Sequence, residues 1–385
     1  MSESLTVNPA SPVRRIPTDT AAPPRPGLAL CLSGGGYRAM LFHLGALWRL
    51  NELACLPKLA RISSVSGGSI VAGVLGHRWG RLGFVDGVAT AFQTEVVASI
   101  RTLASQSVDF GDVVKGVLLK GTVNAALVSS YRDVLFGDAT LQDLPDSPRF
   151  VINATNVQSG VLWRFSKPYM WDWRVGKVER PTVELAVAIG ASSAFPPVLS
   201  PARLQLHDAD FVSGTGDDLQ RPPFTEEVFL TDGGVYDNLG LETAWKLYET
   251  ILVSDGGSSL VPDPEPHTDW LRHGLRVIEV MQNQVGSLRK RQVIGSYQSG
   301  DRKGTYWGIG SHVADYHLAD AWPCLPAHTS VLASYPTRLS AVPALIQERL
   351  VNWGYAICDT AMRRHVVTDA PRPVSVPYSD AGLGE

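Results

Sequence analysis

Ser66 stands in Ser64-Val65-Ser66-Gly67-Gly68, where an apolar, β-branched run gives way to a stretch rich in small residues. The pattern predicts a strand, a very tight turn and a helix. Such a turn lifts the serine hydroxyl out of the sheet, which is the geometry of a nucleophile elbow. Larger side chains two positions to either side would clash; Ser64 and Gly68 hold those places. The usual pattern is G-x-S-x-G, so Ser64 departs at its first position and its backbone must avoid a strongly positive φ. The following helix would aim its N-terminus at Ser66, where free N–H groups favour a developing anion. The chemistry on offer is attack by a serine hydroxyl. The same residues also describe a glycine-rich turn in which Ser66 is a helix cap.

A serine nucleophile needs a base and an anion-binding loop. Val228–Thr231 reads as a strand ending in Asp232-Gly233-Gly234. A carboxylate at a strand end lies where α/β sites lie, so Asp232 is the candidate base. A competitor ends the next apolar strand: Ile251–Ser254 runs into Asp255-Gly256-Gly257. Either aspartate could instead serve a turn by bonding its own backbone.

The loop Ser33-Gly34-Gly35-Gly36-Tyr37-Arg38 follows an apolar strand, Leu28–Leu32, and opens a helix carrying Leu41, Leu44, Leu47, Trp48 and Leu50. No Gly-Lys-Ser/Thr follows, which removes a nucleotide P-loop. Gly34-x-Gly36-x-x-Ala39 fits a dinucleotide fingerprint, but that fold wants an acid at the end of the second strand, where Ser64, Val65 and Ser66 stand. The third meaning is an oxyanion hole, since successive glycines let N–H groups converge on one point. A strand–helix–strand unit this short implies a parallel pair, which sets the loop beside the elbow.

The remaining chain must position these groups. At 385 residues, with 44% hydrophobic and 18% charged, it has the length and composition of a globular protein of one large or two ordinary domains. A formal net charge of −3 gives no argument for nucleic acid. Cys31, Cys55, Cys324 and Cys358 form no C-x-x-C pair and are read as reduced, in a cytoplasmic setting. No metal-ligand cluster or cofactor motif is read, and no apolar run approaches a membrane span. Residues 1–26 hold six prolines, read as a disordered arm without a signal peptide. Residues 84–130 look helical, with Val85, Val88, Phe92 and Val96 on one face, and an apolar patch at Val113–Leu119 reads as core cover or as a lid. Phe150–Val157 and Val161–Phe165 read as a hairpin, residues 182–191 as a helix ended by Pro196-Pro197, 269–294 as an amphipathic helix, and 305–309 as a strand. The last helix is expected over 341–364, with Leu345, Leu350, Trp353 and Ile357 inward.

Gly34-Gly35-Gly36-Tyr37-Arg38, Ser64-Val65-Ser66-Gly67-Gly68 and Asp232-Gly233-Gly234, in that order, resemble the patatin-like phospholipase family. Ser192–Pro197 and Gly233–Gly240 also look like its bacterial members. The resemblance covers roughly residues 27–260. It implies an α/β, patatin-like three-layer fold, with a central, mostly parallel sheet flanked by helices. It also implies a Ser66–Asp232 dyad without a catalytic histidine, oxyanion donors at Gly34, Gly35 and Gly36, and Arg38 as a prop for that loop. Ser64 and Ala39 stand where the family carries glycines. The implied domains are an arm at 1–26, a catalytic domain at 27–260, an extension at 261–370 packed on it, and a loose tail at 371–385.

The activity the resemblance implies is lipid acyl hydrolysis of the phospholipase A or lysophospholipase type. An acyl-enzyme would form on a phospholipid or other acyl-ester lipid, with no cofactor. An acyltransferase using the same dyad, and a non-turnover binding or signalling module, are the other readings; intact Ser66 and Asp232 argue against the last. Peripheral contact with anionic membranes is expected through Trp171, Trp173, Lys167 and Arg174, and through Arg289, Lys290 and Arg291.

Overall fold

The computed structural model describes residues 23–107, 123–257 and 260–383. The apolar run at the start forms β1 (Arg25–Leu32), three residues longer than its hydropathy predicts. The glycine loop then opens α1 (Gly36–Glu52), buried from Gly36 to Asn51. The elbow segment is β2 (Leu59–Val65) followed by α2 (Gly67–Arg78). β1 and β2 pair in parallel, Leu32 beside Ser64, so the glycine loop and the elbow leave the same sheet edge side by side.

Val85 and Val88 do not lie on the expected helix. They belong to a small hairpin, β3 (Phe84–Val85) and β4 (Val88–Ala89). The connection is Asp86-Gly87, both with positive φ (49° and 83°), a turn chemistry that overrides the 3.6-residue periodicity. The Val113–Leu119 patch falls within residues 108–122, outside the described part of the chain, as does most of the 1–26 arm.

The predicted hairpin is present as β5 (Arg149–Asn156) and β6 (Val161–Phe165), and β7 (Tyr169–Asp172) and β8 (Gly176–Glu179) continue the meander. Then come α3 (Leu185–Ser192), β9 (Ala202–Gln205), β10 (Phe211–Val212), β11 (Glu227–Asp232) and β12 (Tyr248–Asp255). The long helix α4 (Trp270–Ser299), β13 (Lys303–Gly308) and α5 (Ala344–His365) complete the principal elements.

The sheet runs β10-β8-β7-β6-β5-β2-β1-β12-β13, with β11 on β5 and β9 on β11. From β5 through β13 the neighbours are parallel; from β6 outward they are antiparallel. Side chains alternate across the central strands as the pleat requires. Leu30 and Leu32 enter the core shared with α1, α2 and α5; Ala29 and Cys31 enter a second core with Leu239, Leu241 and Val293 of α4. Helices thus cover both faces, giving the three-layer α/β fold.

In α5, Leu350, Trp353 and Ile357 are fully buried, whereas Leu345 is largely exposed because it lies in the first turn, beyond the edge of the core. Residues 371–383, expected to be a loose tail, lie along α5. The Asn352 amide donates to the carbonyls of Tyr378 and Gly382 (both 2.7 Å), and its oxygen accepts the Tyr378 N–H (2.9 Å). A buried asparagine that can pair with three backbone groups outweighs the polar, proline-rich composition of that stretch.

Candidate active site

Two strands meet end to end along one edge of β5. β2 runs parallel to β5 and ends with Val65 beside Asn153. β11 runs antiparallel to it and ends with Asp232 beside Ala154, one residue on. Their C-termini therefore abut, and Ser66 and Asp232 emerge at the junction. The Ser66 hydroxyl is near enough to the Asp232 carboxylate to favour its ionised form.

Ser66 takes φ 50° and ψ −120°, a backbone state costly for a residue with a Cβ. Its surroundings hold it there. The Ser66 N–H donates to Ser192 Oγ (3.0 Å), which donates to the carbonyl of Asn153 (2.6 Å). Ser69 Oγ lies 2.9 Å from Ser192 Oγ and donates to Ser64 Oγ (3.0 Å). Ser64 stays in strand geometry and joins this hydroxyl cluster beneath the turn, so the departure from glycine costs no positive φ. Gly68 cannot be replaced so simply, since a Cβ there would lie 2.6 Å from the carbonyl oxygen of Ser33. Ser192 and Asn153 were not assigned roles from the sequence; the Ser192–Pro197 run was the available signal.

Asp232 is buried. Its Oδ1 accepts the N–H of Gly234 (2.7 Å). Burial pushes its carboxyl up to about 7, and the Gly234 N–H and Ser66 hydroxyl only moderate that rise. Asp255, the competitor, accepts the Gly257 N–H (2.9 Å) but also the Tyr306 hydroxyl (2.8 Å) and pairs with Lys290 (2.7 Å). Burial would raise it too, yet the Lys290 ammonium, with these donors, holds it below the ordinary carboxylate range. Asp255 is thus engaged with an ammonium rather than with the elbow serine.

The glycine loop curls over the elbow. Gly35 and Gly36 have φ 141° and 61°, and among the described residues their N–H groups make no hydrogen bond. The N–H of Gly34 is different: it donates to the Asn238 carbonyl (3.0 Å), so it anchors the loop instead of facing an oxyanion. The N–H of Gly67, first residue of α2, also makes no hydrogen bond among the described residues and is a further donor at the elbow. Arg38 is a buttress. Its Nε and Nη2 reach the Gly256 carbonyl (3.3 and 3.2 Å), Nη1 reaches that of Tyr335 (2.6 Å), and burial pulls its guanidinium down to about 10.

No histidine lines the cavity among the described residues. His43 is buried under the loop, bridging Ser254 Oγ (2.8 Å) and the Ser33 carbonyl (2.9 Å), and burial lowers it to about 4. It is a neutral structural prop. His207 and His273 are exposed. No metal-binding group of histidine, cysteine or acidic residues occurs among the described residues.

Ser66 and Asp232 open into a cavity of about 820 Å³. Phe195–Leu199 form one wall and residues of α4 another; Arg338 and Leu339 close the side nearest Gly36. The backbone of Arg338 accepts the Tyr37 N–H (3.0 Å), tying the C-terminal region to the glycine loop.

Most of the basic residues expected to face a membrane are paired with acids, Arg291 excepted. Arg289 pairs with Glu242 (3.0 Å) and Lys290 with Asp255, and Arg291 Nε reaches the Ser287 carbonyl (3.3 Å). Trp171 lies in β7, not a loop, with the Arg164 guanidinium over its ring. Arg174 is held by Asp218 (2.8 and 3.0 Å) and Lys167 by Asp146 (3.2 Å). The hydropathy of these runs did not reveal the acids that reach them from distant strands and loops.

A three-layer α/β sheet that presents a strained serine to a strand-end carboxylate defines a class of protein. The chain belongs to the patatin-like phospholipase family: that family's model matches residues 30–245, more than half of the sequence. Among solved structures, human GIVD cytosolic phospholipase A2 with methyl gamma-linolenyl fluorophosphonate superposes with a TM-score of 0.51 at 15% identity, over 88% of this chain and 58% of that one. The same human enzyme with the inhibitor and terbium chloride gives 0.50 at 14%, over 89% and 59%. VipD from Legionella pneumophila gives 0.37 at 15%, over 89% and 68%, too low a score to carry an argument. At these identities the likeness is one of fold. The chain spans about three fifths of the human enzyme's length. No curated protein matches it.

Proposed function

We propose that this protein is a lipid acyl hydrolase in which Ser66 is the nucleophile and Asp232 its base. One observation carries the reading: β2 and β11 end against each other on β5, which sets Ser66 beside the buried carboxylate of Asp232, whose pKa burial raises to about 7. A carboxylate of ordinary strength is too weak a base for an alcohol; one poised near neutrality and shielded from water is matched to the task.

Asp232 takes the proton as Ser66 Oγ attacks the ester carbonyl. The oxyanion is received by the N–H groups of Gly35, Gly36 and Gly67, each donor worth roughly 3–4 kcal/mol in a comparable site. Asp232 returns the proton to the leaving alcohol, and an acyl-enzyme remains. Water then attacks with Asp232 again as base, and the fatty acid leaves. Family membership and the apolar Phe195–Leu199 wall support an acyl-chain substrate. Its natural state is a bilayer or micelle, so the protein works peripherally at a lipid surface. The four unpaired cysteines suit a reducing, cytoplasmic setting.

The test is labelling by a fluorophosphonate, the inhibitor class bound in the human neighbour. Label should map to Ser66 and vanish in Ser66→Ala. Persistent labelling of the variant at another serine would overturn the assignment.

A further inference from the structure

We propose that the outer face of α4, together with the rim of the cavity, is the surface on which this protein docks to a lipid bilayer, and that the attachment is apolar rather than electrostatic. The inference rests on the lipid-hydrolase reading, which requires acyl chains to pass from a lipid phase into the cavity.

α4 is 30 residues long, and only Val293 and Ser296 are buried. Trp270, Val277, Met281 and Leu288 are spaced by seven, four and seven residues, which places them on one face of a helix. That face looks outward: Trp270 is 85% exposed and Met281 62%. The opposite face carries Glu279, Asn283, Gly286 and Lys290, and these line the cavity. A surface helix of a globular protein normally does the reverse. Its apolar side therefore belongs against something outside the fold.

The rim supplies a second, separate observation. Phe195, Val198 and Val261 line the cavity, yet all three are exposed large apolar residues. Val261 joins this rim to the helix, since its carbonyl accepts from Arg276 Nη2 (2.6 Å). The apolar ground is thus continuous with the entrance that an acyl chain must use. An exposed tryptophan at its margin is the side chain that settles at the headgroup level of a bilayer.

Charge decides what kind of lipid surface fits. Along α4 most charges are paired: Arg272 with Asp269 (2.7 Å), Arg276 with Glu279 (3.2 Å), Arg289 with Glu242 and Lys290 with Asp255; Arg291 is exposed and reaches only the Ser287 carbonyl of its own helix. One exposed arginine is not the cluster of basic side chains that anionic headgroups would hold. It fits a zwitterionic bilayer, entered by apolar side chains, with little dependence on salt.

The experiment uses full-length Ser66→Ala protein, so that binding is read without hydrolysis, and phosphatidylcholine vesicles at low and high salt. Sedimentation with the vesicles is expected at both. The triple variant Trp270→Ser/Met281→Ser/Leu288→Ser should bind roughly tenfold or more weakly, while in the Ser66 background it should hydrolyse a short soluble ester at the unchanged rate and melt as before. Absence of binding to phosphatidylcholine, binding only to anionic vesicles with release at high salt, or equal binding by the triple variant would each overturn the proposal. So would a concentration-dependent dimer, dissociated by the triple variant, with no vesicle binding; the face would then join two copies of the chain. Vesicle binding in a protein whose Ser66 hydrolyses no ester would sink the hydrolase reading and leave the docking surface standing.

Discussion

The chain ends two neighbouring strands of its sequence in Asp-Gly-Gly, at Asp232 on β11 and at Asp255 on β12. Both aspartates are buried, and each accepts the N–H two residues on, from Gly234 and from Gly257. Their ionisation nonetheless moves in opposite directions. Asp232, with a serine hydroxyl as its side-chain partner, is raised to about 7; Asp255, beside the Lys290 ammonium and the Tyr306 hydroxyl, is lowered. Local sequence makes two turn carboxylates. Which of them is left suited to the proposed role of base depends on whether a cation arrives from elsewhere, and Lys290 arrives from α4.

The sharpest way to break this contrast is to neutralise each carboxylate in turn. Asp232→Asn should lower kcat on a soluble ester by roughly 10³–10⁴-fold, as loss of the acid does in comparable serine sites. Asp255→Asn should instead leave turnover per folded molecule within a few-fold and reduce stability by about 1–3 kcal/mol, because Lys290 loses its partner. Normal turnover in the first and none in the second would reverse the assignment.

The pH profile gives the next largest effect. As the proposed base, Asp232 would have to be deprotonated to act, so kcat/KM should fall by about tenfold per unit as pH drops below 7 and level off above it. The midpoint should not move in Asp255→Asn. A midpoint near 4 in the parent protein would mean that Asp232 is not held neutral by burial.

Stability supplies a third measurement. Asp232 keeps its proton in the fold up to about 7, while the unfolded chain loses it near 3.8. Between those values the unfolded state binds fewer protons, so this group lowers stability as pH rises. Asp232→Asn removes that penalty. Its melting temperature should exceed the parent's, more at pH 8 than at pH 5, by about 1 °C per kcal/mol relieved in a chain of this length.

The smallest effect is expected at Ser64→Gly. Ser69 loses one hydroxyl partner but keeps Ser192, so turnover should change by less than roughly threefold. A loss beyond a hundredfold would show that the hydroxyl cluster holds the strained Ser66 more tightly than its individual bonds imply.

Much of this protein was legible in order along the chain. Strand, glycine loop and helix, then strand, Ser66 and helix, follow from hydropathy period and from the few residues a tight turn tolerates, because those constraints act over five to ten neighbours. Where two local signals competed, the turn won: Asp86-Gly87 made a hairpin of residues whose spacing looked helical. Tertiary structure decided everything that depends on distant partners. It set Ser66 against Asp232 by bringing β2 and β11 to one edge of β5 from opposite directions, across 166 positions of sequence. It tied the N–H of Gly34, one of the expected oxyanion donors, to Asn238, and paired Arg289 and Lys290 with Glu242 and Asp255. It also turned the apolar face of α4 outward. Hydropathy shows that a helix has two faces, but which face meets the fold is a matter of what packs against it.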